Sequence, residues 1–330
     1  MQRPSGQIAC AKNTNNHMSE ARKQMSATST SALAQAKNKV DNLSENQIGL
    51  LLILPLAVLL MVLYLYPILR GFVFSLQEVS LFATDPAWIG AQQYIDTVNS
   101  SRFWNAFENG IIYTVGSVAV TVVVGVGTAM VLNRSFFGER FVTGLILSPY
   151  MIPIVGIVLI FRWLFNGLNG AANYVFIQLG FVNEPVAWFS SSTYAMPMLI
   201  LISGWALYPF VCMLVLAKLQ TIPDEYYEAA NLMGASRTRQ FVSITLPQLK
   251  SVLFVAILLR MLWTFNLFDI IWLGTQGGPG NATETLPIMA YRIAFDGLRL
   301  GEGTAVAFLT FVVLAIGTII YFRSFGERSA

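Results

Sequence analysis

The sequence predicts an all-α, polytopic membrane protein with six transmembrane helices, and three observations carry that expectation. Hydrophobic residues make up 55% of the chain and charged residues only 11%, with a mean hydropathy of +0.61; soluble domains carry about a quarter charged residues. The apolar residues are gathered into six runs, each able to cross ~30 Å of hydrocarbon. Lys and Arg are spread unevenly over the connecting segments, which is how a membrane orientation is encoded.

Composition also excludes several classes. A net charge of +3 is too small to argue for a nucleic-acid partner. Cys10 lies in a polar tail and Cys212 in an apolar run, so they form neither a disulfide framework nor a metal site. His17 is the single histidine and shares that tail, which excludes a His-based metal centre or catalytic triad.

In chain order, residues 1–46 are rich in Ser, Thr, Asn, Gln, Ala and Lys. They cannot bury enough apolar surface to fold and are expected to form a disordered cytoplasmic tail. The tail lacks the apolar stretch of a signal peptide, and Met18 and Met25 are alternative starts. A membrane domain over 47–325 then contains crossings at about 48–69, 110–132, 142–165, 196–217, 252–273 and 304–322. All six read as unbroken helices. Between them, 82–109 reads as a short ordered turn. The stretch 166–195 reads as an interfacial helix or partner-contact surface, and Gly277-Gly278-Pro279-Gly280 as a tight bend.

Charge in the flanks sets the orientation. The 133–141 loop carries Arg134 and Arg140, the 218–250 loop carries Lys218, Arg237, Arg239 and Lys250, and the C-terminal end carries Arg323 and Arg328. On the other side, 77–109 offers Arg102, 166–195 offers none, and 274–303 offers Arg292 and Arg299. Both termini and the 218–250 loop are therefore expected in the cytoplasm of a cell (inner or plasma) membrane protein.

The 223–247 segment is amphipathic rather than greasy. Pro223 and Asp224 are helix-start residues, Glu225 and Glu228 complement a helix N-terminus, and Tyr226, Ala229 or Ala230, and Met233 recur at helical spacing. Gly234 suits a left-handed helix end, Ser236 can cap a second short helix to about Thr245, and Pro247 is expected to stop it. The predicted object is a helix–Gly–helix elbow. An amphipathic surface loop is the plainer alternative.

Glu228, Ala229, Ala230, Gly234, Ile244, Leu246 and Pro247 fill the pattern EAA-x3-G-x9-I-x-L-P. This resembles the coupling motif in permease subunits of binding-protein-dependent ABC importers, with their type I importer permease fold. The resemblance implies that the elbow docks in a separate ATPase. It also implies a second homologous permease, a dimer of ATPase subunits holding ATP and Mg, and an extracytoplasmic solute-binding protein, with no cofactor on this chain. Over about 48–325 the chain is similar to the carbohydrate-uptake, maltose and glycerol-phosphate type (carbohydrate uptake transporter family 1), in its shorter six-helix form.

Ionisable groups at membrane depth mark functional candidates. Arg162 lies near the outer end of the third crossing, Asp269 at similar depth in the fifth, and Arg260 nearer the fifth's inner half. Arg162 and Asp269 are either an interhelical pair or Arg162 snorkels to the headgroups. Asn266 and Asp269 are three apart and expected to share a helix face flanked by Phe265, Phe268 and Trp272. Amides and carboxylates bond hydroxyls and rings stack on sugars, although ordinary helix packing explains any one of these positions as well. The Phe265-Asn266 pair followed by Thr275-x-Gly277-Gly278-Pro279 is similar to the sugar-lining helix of the carbohydrate branch, which implies that Phe265 and Asn266 face substrate. Trp205 and Tyr208, in the middle of the fourth crossing, are candidates by chemistry alone.

Sugar hydroxyls cannot cross hydrocarbon unpaired, so the expected function is a permease that moves a sugar or sugar derivative by alternating access. No lysine follows a glycine, so a Gly-Lys-Ser/Thr phosphate loop is absent and the chain is not expected to be an enzyme. The rivals are an ion-gradient-driven secondary transporter, for which no broken helices are read, an ABC permease for a solute such as glycerol phosphate or a polyol, and an intramembrane enzyme. The last lacks any nucleophile–base pair.

Overall fold

The structure, a computed structural model, describes residues 44–80 and 86–325, so the tail expected over 1–46 lies outside the described residues up to position 43. The described chain divides into two units at Leu69/Arg70. Helix α1 (Glu45–Leu60) opens with the Ser44 N–H donating to Gln47 Oε1 at 3.0 Å, and passes through a π turn (Met61–Leu65) into α2 (Tyr66–Ser75). Pro67 follows the π turn. A wider turn is one way to accommodate a residue that lacks an N–H and whose ring crowds the preceding carbonyl.

In the second unit a two-residue antiparallel pair, β1 (Gln77–Glu78) with β2 (Ala87–Trp88), leads to α3 (Gln92–Asn99). Of the 82–109 segment expected as a turn, the described residues form β2, α3 and the first turns of the next helix. The amphipathic α3 places Gln93 and Thr97 inward, a signal short enough to read as a loop. Helix α4 (Ser101–Leu132) begins well before the expected 110. Arg102, in its first turn, pairs with Glu284.

The third crossing is not one helix. Helix α5 (Glu139–Leu147) and a 3₁₀ turn (Ser148–Met151) meet α6 (Ile154–Leu164) at a bend of 97°. Pro149 and Pro153 lack N–H donors, and Ile152, preceding Pro153, sits at φ −86, ψ 130, as the proline ring requires. Next come α7 (Ala171–Gln178) and α8 (Ala195–Leu219). The 166–188 stretch is tied by Asn173, which donates to three backbone carbonyls and accepts from the Val186 N–H and Trp188 Nε1.

Helix α9 (Glu225–Leu232) and α10 (Arg237–Gln240) form the elbow; a π turn (Phe241–Thr245) then continues without interruption into α11 (Leu246–Phe265). After a break comes α12 (Asp269–Thr275), then α13 (Leu286–Tyr291), a π turn (Arg292–Asp296) and α14 (Leu300–Phe325). Among the described residues five helices are long and apolar enough to cross a membrane, and the bent α5/α6 pair makes a sixth if counted as one span.

Helices α4 and α8 form the central pair, and their approach depends on missing side chains. A Cβ at Gly204 would lie 2.2 Å from Val120 Cγ1, and one at Gly125 2.8 Å from Val211 Cβ. Within a bilayer, where apolar burial between helices gains little over lipid, such small-residue contact is what joins helices. Around this pair, one apolar cluster joins α6, α8 and α12 (Val158, Leu199, Ile270, Ile271). A second lies toward the elbow (Ala129, Val215, Leu219, Leu249), and a third joins α4, α11, α13 and α14 (Phe103, Phe265, Leu286, Val306).

Candidate functional site

The elbow is built by backbone chemistry legible in its residues. Gly234 adopts φ +74, a region that side chains disfavour. It closes α9 with two bonds, Gly234 N–H to the Asn231 carbonyl at 3.0 Å and Ala235 N–H to the Ala230 carbonyl at 2.9 Å, the Schellman arrangement. Ser236 caps α10, its hydroxyl accepting from the Arg239 N–H. Gln240 Nε2 donates to Asn231 Oδ1 at 2.6 Å and to the Ala235 carbonyl at 3.0 Å, locking the two arms together.

Side-chain placement differs from the sequence reading in one respect. Ala230 is buried in the chain's own fold, so of the alanine pair only Ala229 is open to a partner. Leu232 and Met233, 92% and 80% exposed, stand at the tip beside exposed Glu225, Tyr226 and Glu228. An apolar, acid-rimmed tip is a surface that a partner could cover. Ile244 is half-buried and Leu246 41% exposed.

Pro247 does not stop the second arm. It lies in the first turn of α11, directly after the π turn at Phe241–Thr245, whose wider winding takes up the missing donor. The elbow's second arm and the membrane helix are consequently one 29-residue helix, Arg237–Phe265, about 43 Å long at 1.5 Å per residue. Its far end is the break at Asn266.

Two interrupted helices converge beyond that break. Helix α6, after the Ser148–Pro153 bend, packs on α12, after the Asn266–Phe268 break, through Ile157, Val158, Ile270 and Ile271. Backbone that is not helical at membrane depth is tolerated where it is buried in protein or lines an aqueous cavity. Tyr150 and Met151 at the first break are exposed, as are Asn266 and Asp269 at the second. Asn266 is the C-cap of α11 and Asp269 opens α12. They therefore flank a break instead of sharing one continuous helical face. Phe268 stacks on Trp272 at 5.3 Å, and Tyr291 meets both rings at 5.0 and 4.7 Å, with Phe295 4.9 Å beyond it. Tyr291 and Phe295 come from another segment, so no local spacing pointed to them.

Several candidates stand elsewhere. Phe265 is 6% exposed, its ring pressed on Gly110 and packed with Phe103 and Leu286; what remains of it lines an almost wholly apolar cavity of about 370 Å³. It is a core residue. Tyr208 is buried with its hydroxyl donating to the Ile146 carbonyl at 2.6 Å. Trp205 keeps 38% exposure beside Phe161. Arg162 does not pair with Asp269: its Nη1 donates to the Leu273 carbonyl at 3.0 Å, in the last turn of α12 where carbonyls lack helical partners. Arg260 is 4% exposed, its Nη2 donating to Thr264 Oγ1 at 3.0 Å while Nε has no partner. Nearby, the Tyr113 and Ser203 hydroxyls bond each other.

At the far end of the bundle from the elbow, Glu284 is clamped by Arg102 and Arg292. Asn109 Nδ2 donates to the Asn281 and Glu284 carbonyls. Among the described residues no group of His, Cys, Asp and Glu could hold a metal ion.

Bent and broken membrane helices with polar and aromatic residues at their breaks, joined by one continuous helix to an exposed amphipathic elbow, define a polytopic membrane permease. The chain belongs to the family described as binding-protein-dependent transport system inner membrane component, whose model matches residues 121–323. It is 32% identical over 279 residues to a trehalose/maltose transport system permease protein of Thermococcus litoralis, covering 84% of this chain and 94% of that one. It is 34% identical over 283 residues to a sulfoquinovosyl glycerol transport system permease protein of Agrobacterium fabrum, covering 86% and 91%. Among solved structures, the fold matches a bacterial ABC transporter involved in import of the acidic polysaccharide alginate. There the TM-score is 0.75 at 19% identity, covering 86% of this chain and 97% of that one.

Proposed function

We propose that the chain is one transmembrane subunit of an ATP-driven importer that translocates a sugar or sugar derivative by alternating access. The observation that carries this reading is the uninterrupted Arg237–Phe265 helix. One end of it is the elbow and the other abuts the break that holds Asn266 and Asp269. A displacement at the elbow is delivered to that break along one continuous helix. The acid-rimmed, apolar tip of Leu232 and Met233 is the face we assign to an ATPase subunit, with Glu228 and Ala229 in the contact and Gly234 setting the angle.

In this reading ATP and Mg sit in a pair of partner ATPases, a second homologous permease completes the pathway, and an extracytoplasmic binding protein delivers the solute. Both termini and the elbow lie on the cytoplasmic side, as the distribution of Lys and Arg suggests. Asn266 and Asp269 bond solute hydroxyls while Phe268, Trp272 and Tyr291 stack on the ring. A carbohydrate solute is supported by this chemistry and by relatives named for trehalose/maltose and sulfoquinovosyl glycerol transport. The broken helices remove one sequence argument against an ion-driven transporter, yet family membership and the elbow favour the ATP-driven reading.

Glu228→Lys in the reconstituted transporter tests it. Uptake and solute-stimulated ATP hydrolysis should fall together, with weaker retention of the ATPase. Unchanged coupling, or uptake by this chain alone down an ion gradient, overturns the reading.

A further inference from the structure

A cavity of about 380 Å³ lies where the elbow meets the bundle. Its walls are the last turns of two membrane helices (Met130 of α4, Leu219 of α8), the start of α9 (Asp224), the start of α10 (Arg237) and the π turn (Phe241), with Arg134 from the loop after α4. A volume of this size is at the small end of the range for ligand sites. Among the described residues the ion pairs are those of Glu284, Asp296 and Glu302, so Arg134, Arg237 and Asp224 line this cavity without an ion-pair partner.

We propose that this cavity binds the headgroup of a zwitterionic aminophospholipid of the adjoining leaflet, its phosphate between Arg134 and Arg237 and its ammonium on Asp224. Three features select this occupant. Two arginines line the same cavity, a residue type that phosphate recognition favours. A carboxylate stands with them, which disfavours a purely anionic ligand and suits an amine. Met130, Leu219 and Phe241, at the ends of membrane-spanning helices, put the cavity at headgroup depth with apolar atoms where acyl chains leave the glycerol. An occupant here touches α4, both arms of the elbow and the π turn, so it stiffens the joint between elbow and bundle. That consequence for coupling requires the elbow to be the moving part; the binding does not.

Native mass spectrometry of the assembled, detergent-purified transporter, titrated with phosphatidylethanolamine, phosphatidylcholine and phosphatidylglycerol, tests the site. The wild type should hold phosphatidylethanolamine in preference to the other two. Removing each guanidinium should weaken retention about fivefold, about 1 kcal/mol, so Arg134→Gln/Arg237→Gln loses about twenty-five-fold. The Arg134→Lys/Arg237→Lys variant, which keeps the charge, should restore most of it, and Asp224→Asn should abolish the preference for the primary amine while phospholipid is still held. The proposal is overturned if the double Gln variant retains the lipid as the wild type does, or if the wild type does not distinguish the three headgroups. It is also overturned if glycerophosphoethanolamine, which has no acyl chains, displaces the lipid at equal concentration, because the ligand would then be a soluble phosphodiester.

Discussion

Replacing Glu284 by Gln should loosen the end of the bundle opposite the elbow by a predictable amount. Its carboxylate accepts from Arg102 Nε at 2.8 Å and Nη2 at 2.6 Å, and from Arg292 Nη1 at 3.3 Å. Glu284 is 1% exposed, while the Arg102 and Arg292 side chains are 35% and 36% exposed. Glutamine keeps the shape and one acceptor but turns an NH₂ toward a guanidinium. Breaking a fully buried ion pair costs about 3–5 kcal/mol; solvent already screens both arginines, so the expected loss is nearer ~2–3 kcal/mol. In a thermal unfolding assay of the purified transporter that corresponds to a drop of about 5 °C. Arg102→Gln alone should cost a similar amount, and the double variant much less than the sum. Strictly additive losses, or no shift for Glu284→Gln, would refute the claim that this buried carboxylate holds α4 to the turn before α13.

Four further outcomes follow from the geometry. At Gly234, where an added Cβ meets nothing within 4 Å, the penalty is purely conformational. Gly234→Ala should cost about 1 kcal/mol and Gly234→Asn less, read as reduced solute-stimulated ATPase in the Ala variant only. Gly204→Val should destabilise by about 1–3 kcal/mol or more through the Val120 clash, measured by thermal unfolding; a neutral result would show that α4 and α8 separate freely. Arg260→Met should leave stability unchanged or raised, since an apolar residue of similar size often matches or exceeds a buried charge, while uptake in proteoliposomes falls; parallel loss of both would make Arg260 a structural residue. Charge reversal at Arg162 and Asp269 together should give additive losses of uptake, because Arg162 serves the Leu273 carbonyl; mutual rescue would contradict that contact.

How much of this was legible in the residues depended on how far each signal reaches along the chain. The membrane class and the approximate spans follow from long apolar runs, and the elbow from Gly234 and Ser236, whose conformations are locally determined. The breaks were hidden because apolar composition runs straight through them. Pro149 and Pro153 were the available signal for the first, whereas at Asn266–Phe268 only a polar residue among aromatics hinted at the second. Pro247 misled in the opposite direction: a π turn in front of it let the helix continue. Phe265 and Asn266 are adjacent in sequence, yet one packs against Gly110 and the other caps the helix end, a difference set by tertiary packing. Tyr291 and Phe295 joined the site from a segment read only as outer loop, and Arg102 and Glu284, 182 residues apart, could be paired only by the fold.

The most direct test of the lever is a set of spin-label distances in the reconstituted transporter with and without ATP. Labels at Arg239 and Trp263 stand at the two ends of the helix, about 36 Å apart at 1.5 Å per residue, and Val123 on α4 supplies an exposed reference. The Arg239–Trp263 separation should stay constant on ATP binding while both distances to Val123 change. A change of one helical turn, ~5 Å, between Arg239 and Trp263, or an elbow that moves while Trp263 stays still relative to Val123, would contradict it.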